Sequence, residues 1–94
     1  APKEEPRKAA GKAGREARAA LQAQTRPLRV ELQQIDARLE KLAAEKAEVE
    51  AALADPAASD FAELGRRLAH VGAEVAMLEE RWLELQTQLE DMTS

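Results

Sequence analysis

The residues able to do chemistry in this 94-residue chain are charged side chains rather than nucleophiles or metal ligands. His70 is the only histidine and there is no cysteine, so the metal sites built from those residues cannot form. The carboxylate pairs Glu48/Glu50 and Glu79/Glu80 fall on predicted solvent faces, without a cleft suited to acid–base catalysis. Phosphate-binding glycine loops and a nucleophile elbow are also missing. We therefore expect no enzyme, no catalytic residue, no metal and no cofactor in this chain.

The chemistry that the sequence does favour is contact with phosphate groups. Residues 1–25 hold six Lys/Arg against three Glu, a net of +3, whereas residues 26–94 hold eight basic and fifteen acidic residues, a net of −7. If the lead-in is helical, its basic residues fall on one side, close to two arginines further along. The predicted nucleic-acid-binding residues are Lys8, Lys12, Arg15, Arg18, Arg26 and Arg29. Such a cluster neutralises phosphates without reading a base sequence.

Long helices must position these charges. The chain has one Trp, one Phe and no Tyr, and it is rich in Ala, Leu, Glu, Lys and Arg, which is typical of coiled coils. From Leu28 to Leu53 apolar residues recur every three or four positions, and only Lys46 interrupts the seam. We expect Lys46 to direct its ammonium group out to solvent. From Phe61 to Met92 the same spacing is unbroken.

The pattern predicts an all-α fold, an antiparallel two-helix coiled-coil hairpin with a kinked first arm and a flexible basic N-terminal linker. A parallel dimer of extended helices is the alternative, but Pro56 and the broken pattern around it favour a turn. Asp60 and Glu63 have the spacing of a capping box that would restart the helix. The predicted segments are a linker at 1–14, a first arm at about 15–54 kinked near 25–27, a turn at about 55–59 and a second arm at about 60–92.

The charges beside the seam choose between two alignments of the arms. With Leu42 opposite Leu68, the flanking pairs attract; these pairs are Glu31–Arg81, Arg38–Glu74, Glu45–Arg67 and Arg29–Glu79. With Leu53 opposite Leu64, like charges meet; these pairs are Arg38–Arg81, Glu45–Glu74 and Asp36–Glu79. Each exposed pair contributes only about 0.2–1 kcal/mol, but all seven favour the first alignment. That alignment requires residues upstream of Pro27 to pack against the end of the second arm.

Two glycines of the second arm allow two interpretations. Gly65 and Gly72 both lie at e positions of the heptad. Small residues there would let the two helices approach closely. Alternatively, the glycines only weaken the helix, by about 1 kcal/mol each.

Three segments together resemble the C-terminal domain of bacterial ABC-F ATPases of the Uup/YheS type. They are Arg26–Leu32, Leu53–Pro56 and Leu78–Leu85, and the resemblance covers about residues 15–94. It implies an antiparallel coiled coil appended to tandem ATPase domains without membrane spans, and association with DNA or ribosomal RNA. The ATP and magnesium of such a parent protein would belong to its upstream ATPase domains, which would be partners of this chain.

The expected function is weak nucleic-acid binding without sequence specificity by a non-catalytic domain. An alternative is a protein-interaction or spacer hairpin that acts through its tip, around Asp55–Phe61. A third interpretation, a tRNA-contacting arm like that of seryl-tRNA synthetase, needs a catalytic domain after the hairpin. We also expect a monomer, a cytoplasmic location and no membrane contact, since no run approaches the roughly 20 apolar residues of a membrane span.

Overall fold

Two α-helices joined by a short turn make up the chain. The structure is a computed structural model that describes the backbone of residues 4–93 and the side chains of residues 11–93. Helix α1 runs from Glu4 to Ala54 and helix α2 from Phe61 to Thr93, and no strand occurs between residues 4 and 93. The two helices pack against each other. The predicted all-α hairpin is therefore confirmed.

Helix α1 begins at Glu4 rather than near Arg15. The sequence assigned residues 1–14 to a flexible linker because of their Pro and Gly content, yet residues 4–14 are helical. Alanine, lysine and arginine are strong helix formers, and between Arg7 and Arg18 they outnumber the two glycines. With 51 residues, α1 is about 76 Å long at 1.5 Å per residue.

Helix α1 continues through Pro27 as one element, and the bend that the sequence predicted there stays a prediction. Proline lacks an N–H and so removes one helical hydrogen bond, but the chain around it is held by packing. Thr25, two residues earlier, has 0% of its surface exposed, and its hydroxyl donates to the carbonyl oxygen of Gln22 at 3.3 Å. Residues upstream of Pro27 therefore belong to the packed hairpin, as the charge-based alignment required.

The core is a single apolar seam between the helices. Its buried side chains are Leu32, Ile35, Leu42, Val49, Val71 and Leu85. Trp82 is partly buried and packs against the cluster of Leu32, Ile35 and Leu85. Lys46 lies within the seam pattern but is 59% exposed at its side chain, and its Nζ lies 3.8 Å from a carboxylate oxygen of Glu50. The expectation that Lys46 directs its charge to solvent is confirmed.

The turn is built without glycine. The carbonyl oxygen of Asp55 accepts a hydrogen bond from the N–H of Ala58 at 3.0 Å, and its Oδ1 accepts one from the N–H of Ala57 at 2.9 Å. Pro56 occupies the second turn position, where its fixed φ suits a β-turn. Aspartate and proline thus reverse the chain in few residues.

Helix α2 begins at Phe61, directly after Asp60, as the sequence predicted. The reciprocal hydrogen bonds of a capping box between Asp60 and Glu63 do not form. Asp60 accepts a hydrogen bond from the N–H of Leu64 through its main-chain carbonyl, at 3.0 Å. Glu63 does not reach back to Asp60; its carboxylate binds the guanidinium of Arg66 at 2.9 Å. Arg66, one turn along the helix, is a favourable partner for that carboxylate.

Candidate nucleic-acid interface

One flank of the hairpin is closed by ion pairs between the helices. Arg38 binds Glu74 with two hydrogen bonds, at 2.5 and 2.9 Å, and Arg81 binds Glu31 at 2.6 and 3.3 Å. Arg67 lies 3.9 Å from Glu45. We call this set the paired flank; it consists of Glu31, Arg38, Glu45, Arg67, Glu74 and Arg81. These are three of the four pairs that the sequence predicted, so the alignment with Leu42 opposite Leu68 is confirmed.

The ion pairs perturb the groups that form them. The hydrogen bond from Arg38 lowers the pKa of Glu74 against the opposing effect of desolvation, and the same bond raises the pKa of Arg38. Hydrogen bonds to Glu31 and then to Glu84 raise the pKa of Arg81. The largest cause of each shift is the hydrogen bond between the paired groups, so these residues hold the two helices in register rather than forming a reactive site.

Among the side chains of residues 11–93, the opposite flank has no ion pair between the helices, and it contains most of the predicted nucleic-acid-binding residues. We call this side the open flank. On α1 it holds Lys12, Arg15, Arg26, Arg29, Asp36, Glu40 and Glu50, and on α2 it holds Gly65, Gly72, Glu79 and Leu83, all of them exposed. The predicted pair Arg29–Glu79 was wrong, since within the described side chains no ion pair joins these two residues.

Five of the predicted binding residues form one band on α1, which we call the basic stripe. It consists of Lys12, Arg15, Arg18, Arg26 and Arg29, all of them exposed. Since a helix turns 100° per residue, their Cα atoms fall within an arc of about 120° and span about 26 Å. The sixth predicted residue, Lys8, lies outside the residues whose side chains the structure describes. The sequence predicted this grouping only if the lead-in was helical, and the continuous helix meets that condition for these five residues.

The cations of the basic stripe are not neutralised by the hairpin. None of the five forms an ion pair among the side chains of residues 11–93, whereas Arg38, Arg67 and Arg81 all do. Arg18 instead donates from Nε to the carbonyl oxygen of Gly14, at 3.3 Å, and keeps its charge. Exposed guanidinium and ammonium groups in a row can bind phosphate oxygens.

The surface of α1 beside two of these arginines is slightly concave. A shallow depression is lined by Ala19, Gln22, Ala23, Arg26 and Arg29. Because alanine side chains are short, a phosphate backbone could approach the helix closely at Ala19 and Ala23, beside the arginines. The stripe ends where the flank turns acidic, at Asp36.

The neighbouring end of α2 is acidic. It carries Glu79, Glu80, Glu84, Glu90 and Asp91. The open end of the hairpin is therefore polarised, with its positive charge on α1 and its negative charge on α2. A polyanion would have to bind the α1 side.

A groove that the sequence did not reveal lies on the open flank. It is lined by Asp36, Leu39, Glu79, Trp82 and Leu83. Leu83 is 61% exposed, although Leu85, two residues further on, is completely buried. The heptad explains this because Leu83 falls at a b position outside the seam. The groove could have been predicted from an apolar residue at heptad position b that lies next to carboxylates without ion-pair partners.

We also searched the described residues for a metal site, a membrane span and a base-stacking platform. His70 is exposed, and no cluster of three or more His, Cys, Asp or Glu capable of holding a metal ion occurs in the described part of the chain. Within that part, neither helix combines the length and apolarity needed to cross a membrane. Trp82 packs into the seam, so it is not available as a platform for base stacking.

Comparison with known proteins adds the family. The family model described as "ABC transporter C-terminal domain" matches residues 18–87, which is most of the chain. The chain therefore belongs to the ABC transporter C-terminal domain family. No curated protein and no solved structure matches it.

Proposed function

We propose that this chain is the non-catalytic C-terminal domain of an ABC-F ATPase of the Uup/YheS type, and that it binds nucleic acid weakly through its basic stripe. The family assignment supports a C-terminal domain of an ABC protein. The observation that supports the ligand is the row of exposed cations without ion-pair partners among the described side chains. In this proposal the domain acts in the cytoplasm beside upstream ATPase domains, which would hold ATP and magnesium.

The proposed binding is electrostatic and independent of base sequence. Lysine and arginine side chains on one face of a single helix can contact phosphates, and such contacts do not read bases. The chain as a whole has a net charge of −4, and the acidic end of α2 lies beside the basic stripe. Repulsion from these carboxylates limits the affinity, so we expect binding at low salt that weakens steeply as salt is added.

A titration of labelled duplex DNA and of RNA at two salt concentrations tests this proposal. The variant R26E/R29E should bind at least tenfold more weakly than the unchanged chain at low salt, and R15E/R18E/R26E/R29E more weakly still. For duplex DNA the salt dependence should fall by a slope of about 0.9 for each phosphate contact removed.

The matched control is K41E/R66E. It makes the same change in net charge at two exposed positions outside the basic stripe. If binding depended only on net charge, this control would lose as much affinity as R26E/R29E. Equal losses, or unchanged affinity in the four-residue variant, would contradict the assignment.

A second candidate is recognition of a protein through the tip. Phe61, the first residue of α2, is 55% exposed at the end of the hairpin, which is unusual for an aromatic side chain. A pull-down comparing Phe61→Ser with R26E/R29E separates the two candidates. Loss of the captured partner only in Phe61→Ser would favour the tip.

A further inference from the structure

Six of the seven charged residues that α1 places on the open flank are arranged about one residue, Gln33. The arginines lie on its N-terminal side and the carboxylates on the other side, at separations that match to within one residue. Arg29 and Asp36 are four and three residues from Gln33, Arg26 and Glu40 are each seven residues from it, and Arg15 and Glu50 are eighteen and seventeen residues from it. A second α1, turned end over end about Gln33, would bring each of these arginines within one residue of a carboxylate.

We propose that two copies of this chain associate face to face through their open flanks, with the hairpins antiparallel and the two-fold axis at Gln33. In this arrangement Arg29 faces Asp36 of the second copy, Arg26 faces Glu40, and Arg15 faces Glu50. Because the axis is two-fold, each of these pairs occurs twice. The sequence alone led us to expect a monomer; the geometry of the open flank favours self-association.

These side chains are free to make the proposed contacts. Among the described residues, only Glu50 of the six has an ion-pair partner, Lys46 on its own helix at 3.8 Å. The paired flank, by contrast, has already satisfied its charges within the hairpin. The open flank therefore presents complementary charges of both signs to another molecule.

The same two-fold axis also provides a contact for Leu83, the exposed apolar residue of the open flank. In the observed alignment, with Leu42 opposite Leu68, Gln33 is level with Met77 of α2. Leu83 and Gly72 lie six and five residues on either side of Met77, so a two-fold axis at this level places Leu83 of one copy within one residue of Gly72 of the other. No atom lies within 4 Å of the position where a Cβ on Gly72 would stand, so the surface there is open. One axis thus matches the charges of α1 and the apolar residue of α2.

The area available suits a dimer of moderate strength. The overlapping length is about 50 Å at 1.5 Å per residue, and two adjacent helices present a width of about 15 Å. About 1,500 Å² would be buried in total, which is within the range of stable interfaces. Since much of the contact is charged, we expect association to weaken with added salt.

Charge exchange provides the first test, by sedimentation equilibrium of the 94-residue chain without nucleic acid. Both R26E/R29E and D36R/E40R place like charges opposite each other, so each should associate at least tenfold more weakly than the unchanged chain. Their equimolar mixture should form a heterodimer, and the variant combining all four changes should recover self-association. Lys41→Glu, on another face, should associate as the unchanged chain does.

Cysteine crosslinking provides the second test and also reports the position of the axis. The chain has no cysteine, so Gln33→Cys introduces a single thiol at the two-fold axis, and Gln34→Cys places one a single residue away on another face. Gln33→Cys should form an intermolecular disulfide at least tenfold faster than Gln34→Cys.

Two results would overturn the proposal. One is a monomer at every concentration up to the millimolar range; the other is equal crosslinking of the two cysteine variants. Because these measurements contain no nucleic acid, they test association alone. Nucleic acid and a second copy would compete for Arg15, Arg26 and Arg29, so the titration of the proposed function is made at chain concentrations where sedimentation shows a monomer.

Discussion

The two flanks of the hairpin contain similar charged residues but use them differently. On the paired flank every arginine meets a carboxylate of the other helix, as with Arg38 and Glu74. On the open flank Arg29 and Glu79 are exposed and form no ion pair within the described part of the chain. Charges that close on each other fix the alignment of the two helices. Charges that remain open are available to a second molecule.

The largest effect expected from this comparison contrasts two leucines of α2. Leu85→Ala removes a completely buried side chain and should lower the free energy of unfolding by about 2–5 kcal/mol. Leu83→Ala, on the open flank, should change the free energy of unfolding by less than about 0.5 kcal/mol when it is measured at low chain concentration. Urea unfolding followed by circular dichroism measures both. Similar losses in the two variants would mean that Leu83 also belongs to the core.

A smaller effect of opposite sign is expected at Gly65. No atom lies within 4 Å of the position of an added Cβ, so Gly65→Ala should stabilise the helix by about 1 kcal/mol. The same observation holds at Gly72. Helix α1 does not approach closely at either glycine, so the interpretation that remains is that the glycines only weaken the helix. The same urea measurement applies. Destabilisation by alanine would show that the open flank is more crowded than described.

A still smaller difference is expected between two arginines of α1. Arg38→Glu places a carboxylate against Glu74 and should lower the melting temperature, whereas Arg29→Glu breaks no ion pair within the described side chains. Thermal scans of the two variants at low ionic strength provide the measurement. If Arg29→Glu destabilised the chain as much as Arg38→Glu, the open flank would contain a pair of its own.

The smallest effect concerns pH. The pKa of Glu74 is lowered from its ordinary value of 4.5, chiefly by the hydrogen bond from Arg38. A lowered pKa in the folded state stabilises the hairpin fully above that ordinary value and no longer does so once the pH falls through the folded value. The melting temperature of Glu74→Gln should therefore lie below that of the unchanged chain at pH 7 and approach it at pH 3. A constant difference between pH 7 and pH 3 would rule out this cause.

The alignment of the helices could be predicted from the sequence because it depends on periodic features. The seam residues repeat without interruption from Phe61 to Met92, and the charges beside them distinguish one alignment from the other. Three of four predicted ion pairs form. The fourth, Arg29–Glu79, does not, because position and sign alone do not determine whether two long exposed side chains meet.

The start of α1 could not be predicted in the same way. Glycine and proline weaken a helix locally, and the prediction of a linker gave that effect too much weight. Between Arg7 and Arg18 the strong helix formers outweigh two glycines. Thr25, which interrupts the apolar pattern, is fully buried two residues before Pro27, and its burial could not be read from the local pattern.

The unbroken course of α1 couples the orientation of the hairpin to its N-terminal end. In a continuous helix, one residue inserted between Glu4 and Gly14 would rotate everything beyond it by about 100° and advance it by about 1.5 Å. The basic stripe would then point a quarter-turn away from its present direction relative to Glu4. An insertion of seven residues would restore the direction to within about 20° while lengthening the arm by about 10 Å. The phase of the helix, rather than its length, thus determines which way the arginines face.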